Sequence, residues 1–522
     1  MSKTAKTLPD DPEELKRIIL ETERRYEKET ELLREQIRLL QAQMYGKKSE
    51  KGTADSGAVQ IPLFDMPEPE VEEEETVAVP AHQRKKPGRK KLPEALPRVE
   101  IVHDIDESEK ICGCGEQLDR IGEDVSEKLD IIPAVIQVIK HIRPKYACKK
   151  CEGLENEGPV VKVAPPPKQI LPKSIATAGL LAYILTAKFC DALPFYRQES
   201  QFARIGAEIS RANMCNWAMK SAAACQPVLS LLHKEIRSGP LINIDETTVQ
   251  VLHEPGRAVS TKSYMWVCRG GAPDRLGLMY HYAPSRSGDV AKVLLAEYRG
   301  VVQSDGYSGY DFLDQEPTIR HGGCLAHARR KFTDAQKARG KAQKPGSIDV
   351  ALGYIRKIYA VESEAKRKEI SGDQLLRLRE EKARPIFDDF FKWLSKKSLQ
   401  VLPKSLLGKA VNYTLGQWTR LLVYLDHPEM TPDNNLAENA IRPFVIGRKN
   451  WLFAGTPDGA KASADIYSLI ETAKANNLEP YKYLRYLFER LPLAESEKDF
   501  KALLPMNLLP EQLLLPDIPT GV

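Results

Sequence analysis

The stretch "LINIDETTVQVL", residues 241–252, decides how this chain reads. Val, Ile and Leu cluster in it as they do in a buried strand, yet Asp245 and Glu246 stand in the middle. A carboxylate held in a strand is costly to desolvate unless something positive meets it. The positive partner is either an arginine or a metal ion, and the surrounding sequence has to say which.

Three further strand-like stretches follow: "SYMWVCRGG", "RLGLMYHYA" and "GVVQSDGYSGY". The first three of the four pattern as an antiparallel meander, and the helix "CLAHARRKFTDAQKA" comes after them. Asp305 falls at the end of the fourth strand, where "DGYSGY" turns. Two carboxylates on neighbouring strands are half of a divalent-metal site, and oxygen-only ligands suit Mg²⁺ or Mn²⁺. The third member is expected on a later helix. Residues 348–425 read as three helices of an all-α insertion, rich in Leu, Ile, Tyr and Trp, and "TPDNNLAENAIRPFVIGRKNWLF" comes next. Its "PDNN" is an N-cap signature that puts Glu438 in the first turns of a helix, with Arg442, Arg448 and Lys449 supplying positive charge nearby.

Each acid has a plainer reading. Glu246 reads as an outward-facing surface acid and is assigned no metal. Asp305 could cap the turn at "DGYSGY", and Glu438 could be a helix-start acid answering the helix dipole. Cys324 and His327 of "CLAH" have a spacing that could hold metal, but two ligands do not make a site, so they read as core packing and support for the acids. Arg329 and Arg330 directly after them are candidates for binding a polyanion.

Working outward, the 522 residues are too many for one ordinary core, and about two to four domains are expected. An apolar fraction of 42% with 29% charged residues excludes a fibrous or disordered chain. No apolar run approaches the roughly 18–20 residues of a membrane helix, and the N-terminus lacks the apolar core of a secretion signal. Nine cysteines, an odd number set mostly in apolar contexts, suit a reducing cytoplasm better than a disulfide framework.

Residues 13–45 read as one helix with Ile19, Tyr26, Leu33 and Leu40 seven apart and Ile37 and Met44 at the alternate seam positions. The heptads predict a self-associating coiled coil; a helix packed on its own domain is the alternative. Residues 46–98 read as a linker whose acidic "PEPEVEEEET" is followed by the basic "HQRKKPGRKKLP". Arg84, Lys85, Lys86, Arg89, Lys90 and Lys91 could lie along phosphates or enter a narrow minor groove. Residues 99–164 carry Cys112 and Cys114, then Cys148 and Cys151, separated by "KLDIIPAVIQVIKHIRPKY", which reads as a β-hairpin. Two thiolate pairs so joined suit a structural, tetrahedral Zn²⁺, although the one-residue spacer of the first pair is uncommon. Residues 170–238 read as helical. Within them "LPFYRQESQFARIG" and "AEISRANMCNWAMKSA" have helix–turn–helix form, with Arg211, Asn213 and Asn216 near one face of the second helix.

"IDETTVQVL", "SDGYSGY", "CLAHARRKF", "DNNLAENAIRPFVIGRKNWLF" and "ADIYSLIETAKANNLEPYKYL" together resemble transposases of the insertion-sequence-66 family. "MYGKKSEK", "KKPGRKKLP" and "KFCDALPFYRQE" extend the resemblance over roughly residues 13–490. The resemblance implies an α/β fold with a ribonuclease-H-like mixed sheet, split into a first half over 240–334 and a second over 431–475 by the all-α insertion of 335–430, with 476–522 a C-terminal helical segment and tail. It implies a DDE acid triad at Asp245, Asp305 and Glu438 holding two Mg²⁺ or Mn²⁺ ions about 3.5–4 Å apart. Water would cut the element's end, and the freed 3′ hydroxyl would attack target DNA. The partners it implies are DNA, as terminal repeats and target, with the accessory proteins of the same element. From the heptads we expect a homodimer or higher oligomer. The expected setting is a bacterial cytoplasm, with the protein on the nucleoid when bound. The competing readings are a DNA-binding regulator with a decayed core and a nuclease that cuts without joining.

Overall fold

A computed structural model describes residues 11–45, 136–147, 161–339 and 346–513. The chain divides into two compact units, Met1–Lys47 with Ile139–Val522 and, separately, Lys48–Val138; the elements below belong to the first. Helix α1 (Pro12–Tyr45) is followed by a short antiparallel pair, β1 (Lys145–Ala147) and β2 (Val161–Val163). Four helices come next: α2 (Ala178–Phe189), α3 (Phe195–Arg204), α4 (Arg211–Ala224) and α5 (Gln226–Arg237). Strands β3 (Leu241–Gln250), β4 (Lys262–Ala272) and β5 (Arg275–Ala283) then lead through α6 (Gly288–Leu294) to β6 (Gly300–Gln303) and β7 (Ile319–Gly322). Helix α7 (Leu325–Ala338) opens a run of helices: α8 (Ser347–Arg367), α9 (Gly372–Leu378), α10 (Arg384–Ser398), α11 (Leu406–Gly416) and α12 (Trp418–Leu422). The chain closes with α13 (Asn435–Trp451), α14 (Pro457–Ala475), α15 (Pro480–Arg490) and α16 (Glu497–Ala502).

The large sheet is mixed, in the order β5-β4-β3-β6-β7. The expected meander is there, with β3, β4 and β5 antiparallel; β6 then lies parallel to β3, and β7 parallel to β6. The α/β architecture with flanking helices agrees with the sequence reading. Strand β7 does not appear in that reading, because "IRHG" is four residues long and carries one aliphatic side chain, too little to produce a periodicity.

Helices α2 to α5 and α13 to α15 bury one large core with the meander, centred on Trp266, Phe444, Tyr467 and Tyr483. A second core joins Leu241 and Val301 to α7 and the helical insertion through Phe332, Phe387 and Phe390. The insertion holds two short helices, α9 and α12, besides the three expected; seven and five residues leave little signal. The outer edge of β5 is covered by α14. Ser468 Oγ and Thr472 Oγ1 accept the N–H groups of Tyr280 and Leu278, and Asn476 Nδ2 donates to Leu276 O. Three polar side chains four residues apart thus satisfy an edge that would otherwise recruit another strand. The Leu-rich end folds back, burying Leu503, Leu504, Leu508 and Leu513.

Two expectations change. Residues 136–144 form no strand, so the described part of "KLDIIPAVIQVIKHIRPKY" is not a hairpin. Lys145–Ala147 pairs instead with Val161–Val163, a ladder that brackets residues 148–160, and Pro144 just before it has no N–H to extend the ladder. Helix α1 packs on its own domain along one face, the alternative weighed for it, and leaves its heptad seam exposed. Leu15, Ile18, Leu32 and Leu39 are half-buried, and Glu35 accepts the Leu406 N–H at 3.1 Å. The heptad residues Ile19, Tyr26, Leu33, Ile37, Leu40 and Met44 are all more than half exposed. No helix among the described residues is long and apolar enough to cross a membrane.

Candidate active site

Parallel pairing places Asn243 opposite Gln303, and the same register carried two residues further sets Asp245 against Asp305. Asp245 thus lies mid-way along β3, just past the last residue of its parallel pairing, and Asp305 lies two residues beyond the carboxyl end of β6. Glu438 stands on the first turn of α13, near enough for its charge to act on Asp245. Its approach is fixed by a buried amide network. Asn434, the N-cap residue, donates Nδ2 to Ile244 O at 2.9 Å and accepts from Asn243 Nδ2 at 3.2 Å. Asn243 Nδ2 also reaches Gln303 Oε1 at 2.9 Å, and Gln303 Nε2 donates to Gly323 O and Thr431 O. The "PDNN" start thus caps the helix differently from the expectation. Asp433 takes the Asn435 N–H, while the Asn434 amide, wholly buried, is drawn to the strand carbonyl that needs a donor.

The opening question resolves by strand alternation. Glu246 points to the opposite face from Asp245. It is not the surface acid expected: its side chain is 1% exposed, and its carboxylate takes Arg286 Nη2 at 2.5 Å, Arg286 Nε at 2.6 Å and the Tyr310 hydroxyl. The middle of a packed strand can hold this acid inside because Arg286 reaches it from the loop before α6. Asp245 has no such partner. One oxygen accepts the Glu246 N–H at 2.9 Å, and no basic group pairs with Asp245 or Asp305 among the described residues. Burial, then the neighbouring Glu246, Asp305 and Glu438 carboxylates, push the Asp245 carboxyl up to about 7.

Asp305 does cap its turn, as the plainer reading held, since Oδ1 accepts the Tyr307 N–H at 2.9 Å. That turn needs its glycines. A Cβ on Gly309 would lie 2.2 Å from the Tyr307 ring, and one on Gly306 would lie 2.5 Å from the Tyr413 hydroxyl. Behind Asp305, Ser304 Oγ lies 3.0 Å from the Asp305 main-chain oxygen and 2.8 Å from His321 Nε2. His321 Nδ1 meets Asp314 at 2.8 Å, and Asp314 and Asp311 both accept from Arg420 in the helical insertion. Ser304 is fully buried, so this Ser–His–Asp row is a strut rather than a nucleophile.

Around Glu438, His327 Nδ1 stands 3.9 Å from Oε1 and Arg330 Nη2 3.5 Å from Oε2. Arginine only donates, so the 3.4 Å contact of Arg330 with His327 Nε2 leaves the ring hydrogen on Nδ1, facing the acid. Cys324 Sγ, His327 Nδ1 and a Glu438 oxygen lie within 4.8 Å of one another. Cys324 is buried, its thiol pushed up to about 12 by burial, and accepts the Asn434 N–H. Buried His327 Nδ1 and Glu438 Oε1 have no hydrogen-bond partner. Asp245 and Asp305, paired with no basic group among the described residues, and Glu438, with one orphaned buried oxygen, offer oxygen ligands of the kind hard divalent cations take.

The remaining expected residues fall into three groups. Arg448 Nη1 is held by Thr247 and Thr248 at 3.4 and 3.2 Å, beside Asp245 on β3, while Arg329, Arg442 and Lys449 are exposed. Arg211, Asn213 and Asn216 are exposed on α4, whose Met214 and Trp217 are buried, after a turn containing Gly206 at φ +83 and the Ser210 cap. Arg84, Lys85, Lys86, Arg89, Lys90, Lys91, Cys112, Cys114, Cys148 and Cys151 lie outside the described residues. Asn243, Gln303, Asn434, Arg286 and His321 were missed in the sequence. A buried amide or histidine gives no periodic signal, though polar residues inside strand-like runs are a cue.

Residues 173–462 match the family described as "Transposase IS66 family". Flanking matches are to the zinc-finger binding domain of transposase IS66 over 109–152, the transposase C of IS166 homeodomain over 32–101, and the IS66 C-terminal element over 468–506. The zinc-finger match spans all four cysteines expected to hold zinc. Three uncharacterized proteins of Sinorhizobium fredii are similar along most of the chain. With y4jD the identity is 31% over 98% of this chain and 99% of that protein. With y4hP it is 28% over 87% and 85%, and with y4qI 31% over 80% and 77%.

Proposed function

The chain belongs to the IS66 family of transposases, and from that premise we propose that it cuts the ends of its insertion element and joins the freed 3′ ends to target DNA at Asp245, Asp305 and Glu438. The observation that carries this is the missing counter-charge: no basic group among the described residues pairs with Asp245, which burial and acids that include the other two push up to about 7. The order β5-β4-β3-β6-β7, with one acid in the middle of β3 and another just beyond β6, supports a ribonuclease-H-like core. Mg²⁺ or Mn²⁺, two ions when bound, would supply Lewis-acid stabilisation of the charge that develops on a phosphodiester under attack.

The protein's own residues do the rest. The Tyr307 N–H and the Ser304 strut hold Asp305 in place, and the Asn434 network sets Glu438 beside β3. His327 and Arg330 orient Glu438 from α7. Arg329, Arg330, Arg442, Arg448 and Lys449 offer cations to the backbone of the substrate strand, and α4 offers Arg211, Asn213 and Asn216 to base edges. The zinc-finger match supports structural Zn²⁺ on Cys112, Cys114, Cys148 and Cys151. The basic segment Arg84 to Lys91 adds phosphate contacts, the exposed heptads of α1 pair two copies, and accessory proteins of the element complete the assembly on DNA in a bacterial cytoplasm.

The deciding assay incubates the protein with labelled element ends, Mg²⁺ and a supercoiled target. Strand-transfer products are expected, and Asp245→Ala should lose cleavage while still binding ends. Hydrolysis without joining would make the protein a nuclease, and binding without cutting a regulator.

A further inference from the structure

Arg286 and Arg379 are both paired to buried or half-buried acids and differ in what is left over. Arg379 is 1% exposed, and its donors go to Glu362 and to the main-chain oxygens of Tyr424, His427 and Met430. Nothing of it is left for a ligand. The Arg286 side chain is 39% exposed. Glu246 Oε1 takes Nε and Nη2, and Nη1 makes no hydrogen bond among the described residues. The guanidinium also lies 3.8 Å from the centre of the Tyr307 ring. Tyr307 is anchored at both ends, by its N–H to Asp305 Oδ1 and by its hydroxyl to Arg286 O at 2.7 Å. Burial opposes the Arg286 charge, but the carboxylates of Glu246 and then Asp305 hold its pKa above the usual value.

The cation is therefore clamped by an acid on one edge and an aromatic face below, with a free donor edge beside Asp305. Such a side chain loses little further entropy on binding, and its fork suits a phosphate. We propose that Arg286 is a DNA-binding residue that grips one backbone phosphate of the strand entering the site, with Glu246, Tyr307 and Tyr310 as the residues that position it. This rests on the DNA-strand-transfer reading above. It gives Glu246, the acid adjacent to Asp245, a role in binding the polyanion instead of the cations.

The test is a binding measurement, independent of catalysis. The full-length protein is titrated with a pre-cut element end in Ca²⁺, using oligonucleotides that each carry one neutral methylphosphonate. In the wild type one position near the cut should weaken binding about tenfold. In Arg286→Ala binding to the unmodified end should be about tenfold weaker and that position should become neutral, with the salt slope reduced by about 0.9. Arg286→Ala combined with Glu246→Gln relieves the unpaired buried charge and should behave alike if folding of the single variant suffers. A methylphosphonate profile or salt slope identical in wild type and double variant would overturn the assignment. Failure of the wild type to cut or join in Mg²⁺ would instead count against the recombinase reading, and the two outcomes are read separately.

Discussion

Asn434 donates its side-chain amide to the main-chain oxygen of Ile244 at 2.9 Å, from four residues before Glu438 to the residue before Asp245. One buried hydrogen bond thus spans 190 positions of sequence and sets the distance between two of the three acids. Asn434→Ala removes the side-chain donor to the Ile244 carbonyl and one of the two acceptors of the Asn243 amide. A loss of about 1–3 kcal/mol is expected by thermal or urea unfolding, with a raised Mg²⁺ requirement for cleavage. Unchanged stability and Mg²⁺ dependence would show that the network does not set the site.

Arg420 ties the helical insertion to Asp305 through Asp314, His321 and Ser304. Arg420→Met should raise the Mg²⁺ concentration for half-maximal cleavage about 10–100-fold, as loss of support behind a metal ligand does. End binding, measured by gel shift, should stay near wild type.

Burial and the neighbouring acids push the Asp245 carboxyl up to about 7 in the fold, against about 3.9 unfolded. A raised folded pKa gives stability that is full below about pH 4 and lost as pH rises through 7. Without divalent cations, Asp245→Asn should therefore melt a few degrees above wild type at pH 8 and level with it at pH 4. Mg²⁺ should raise the wild-type midpoint at pH 8 more than that of the variant. Parallel melting curves across this range would show that Asp245 carries no such burden.

The two faces of α1 separate assembly from folding. Leu33→Asp with Leu40→Asp alters two side chains that are 55% and 56% exposed. The pair should shift a dimer to monomer in light scattering, with little change in melting temperature. A monomeric wild type would remove the proposed role of the seam.

Zinc should be retained through dialysis at one ion per chain, measured by elemental analysis. Cys148→Ser with Cys151→Ser should release it, since two ligands cannot hold the ion against solvent. The circular dichroism of the helical core should be largely unchanged.

The long heptad helix, the three-strand meander and a helical insertion are legible in the chain, because local periodicity, turn chemistry and composition are carried by neighbouring residues. The grouping of the acids at 245, 305 and 438 is what the family resemblance implies. Asp245 and Glu246 show where that information stops. They are adjacent and chemically alike, and the chain alone made one a ligand and the other a surface acid. Only the packed structure gave Glu246 an arginine from the loop before α6 and left Asp245 with acids for neighbours. Strand β7, the Asn243–Gln303–Asn434 network and the His321 strut were equally hidden, because each depends on partners brought together from distant parts of the chain. A side chain's charge is written in the sequence; what answers that charge is a matter of which surfaces meet.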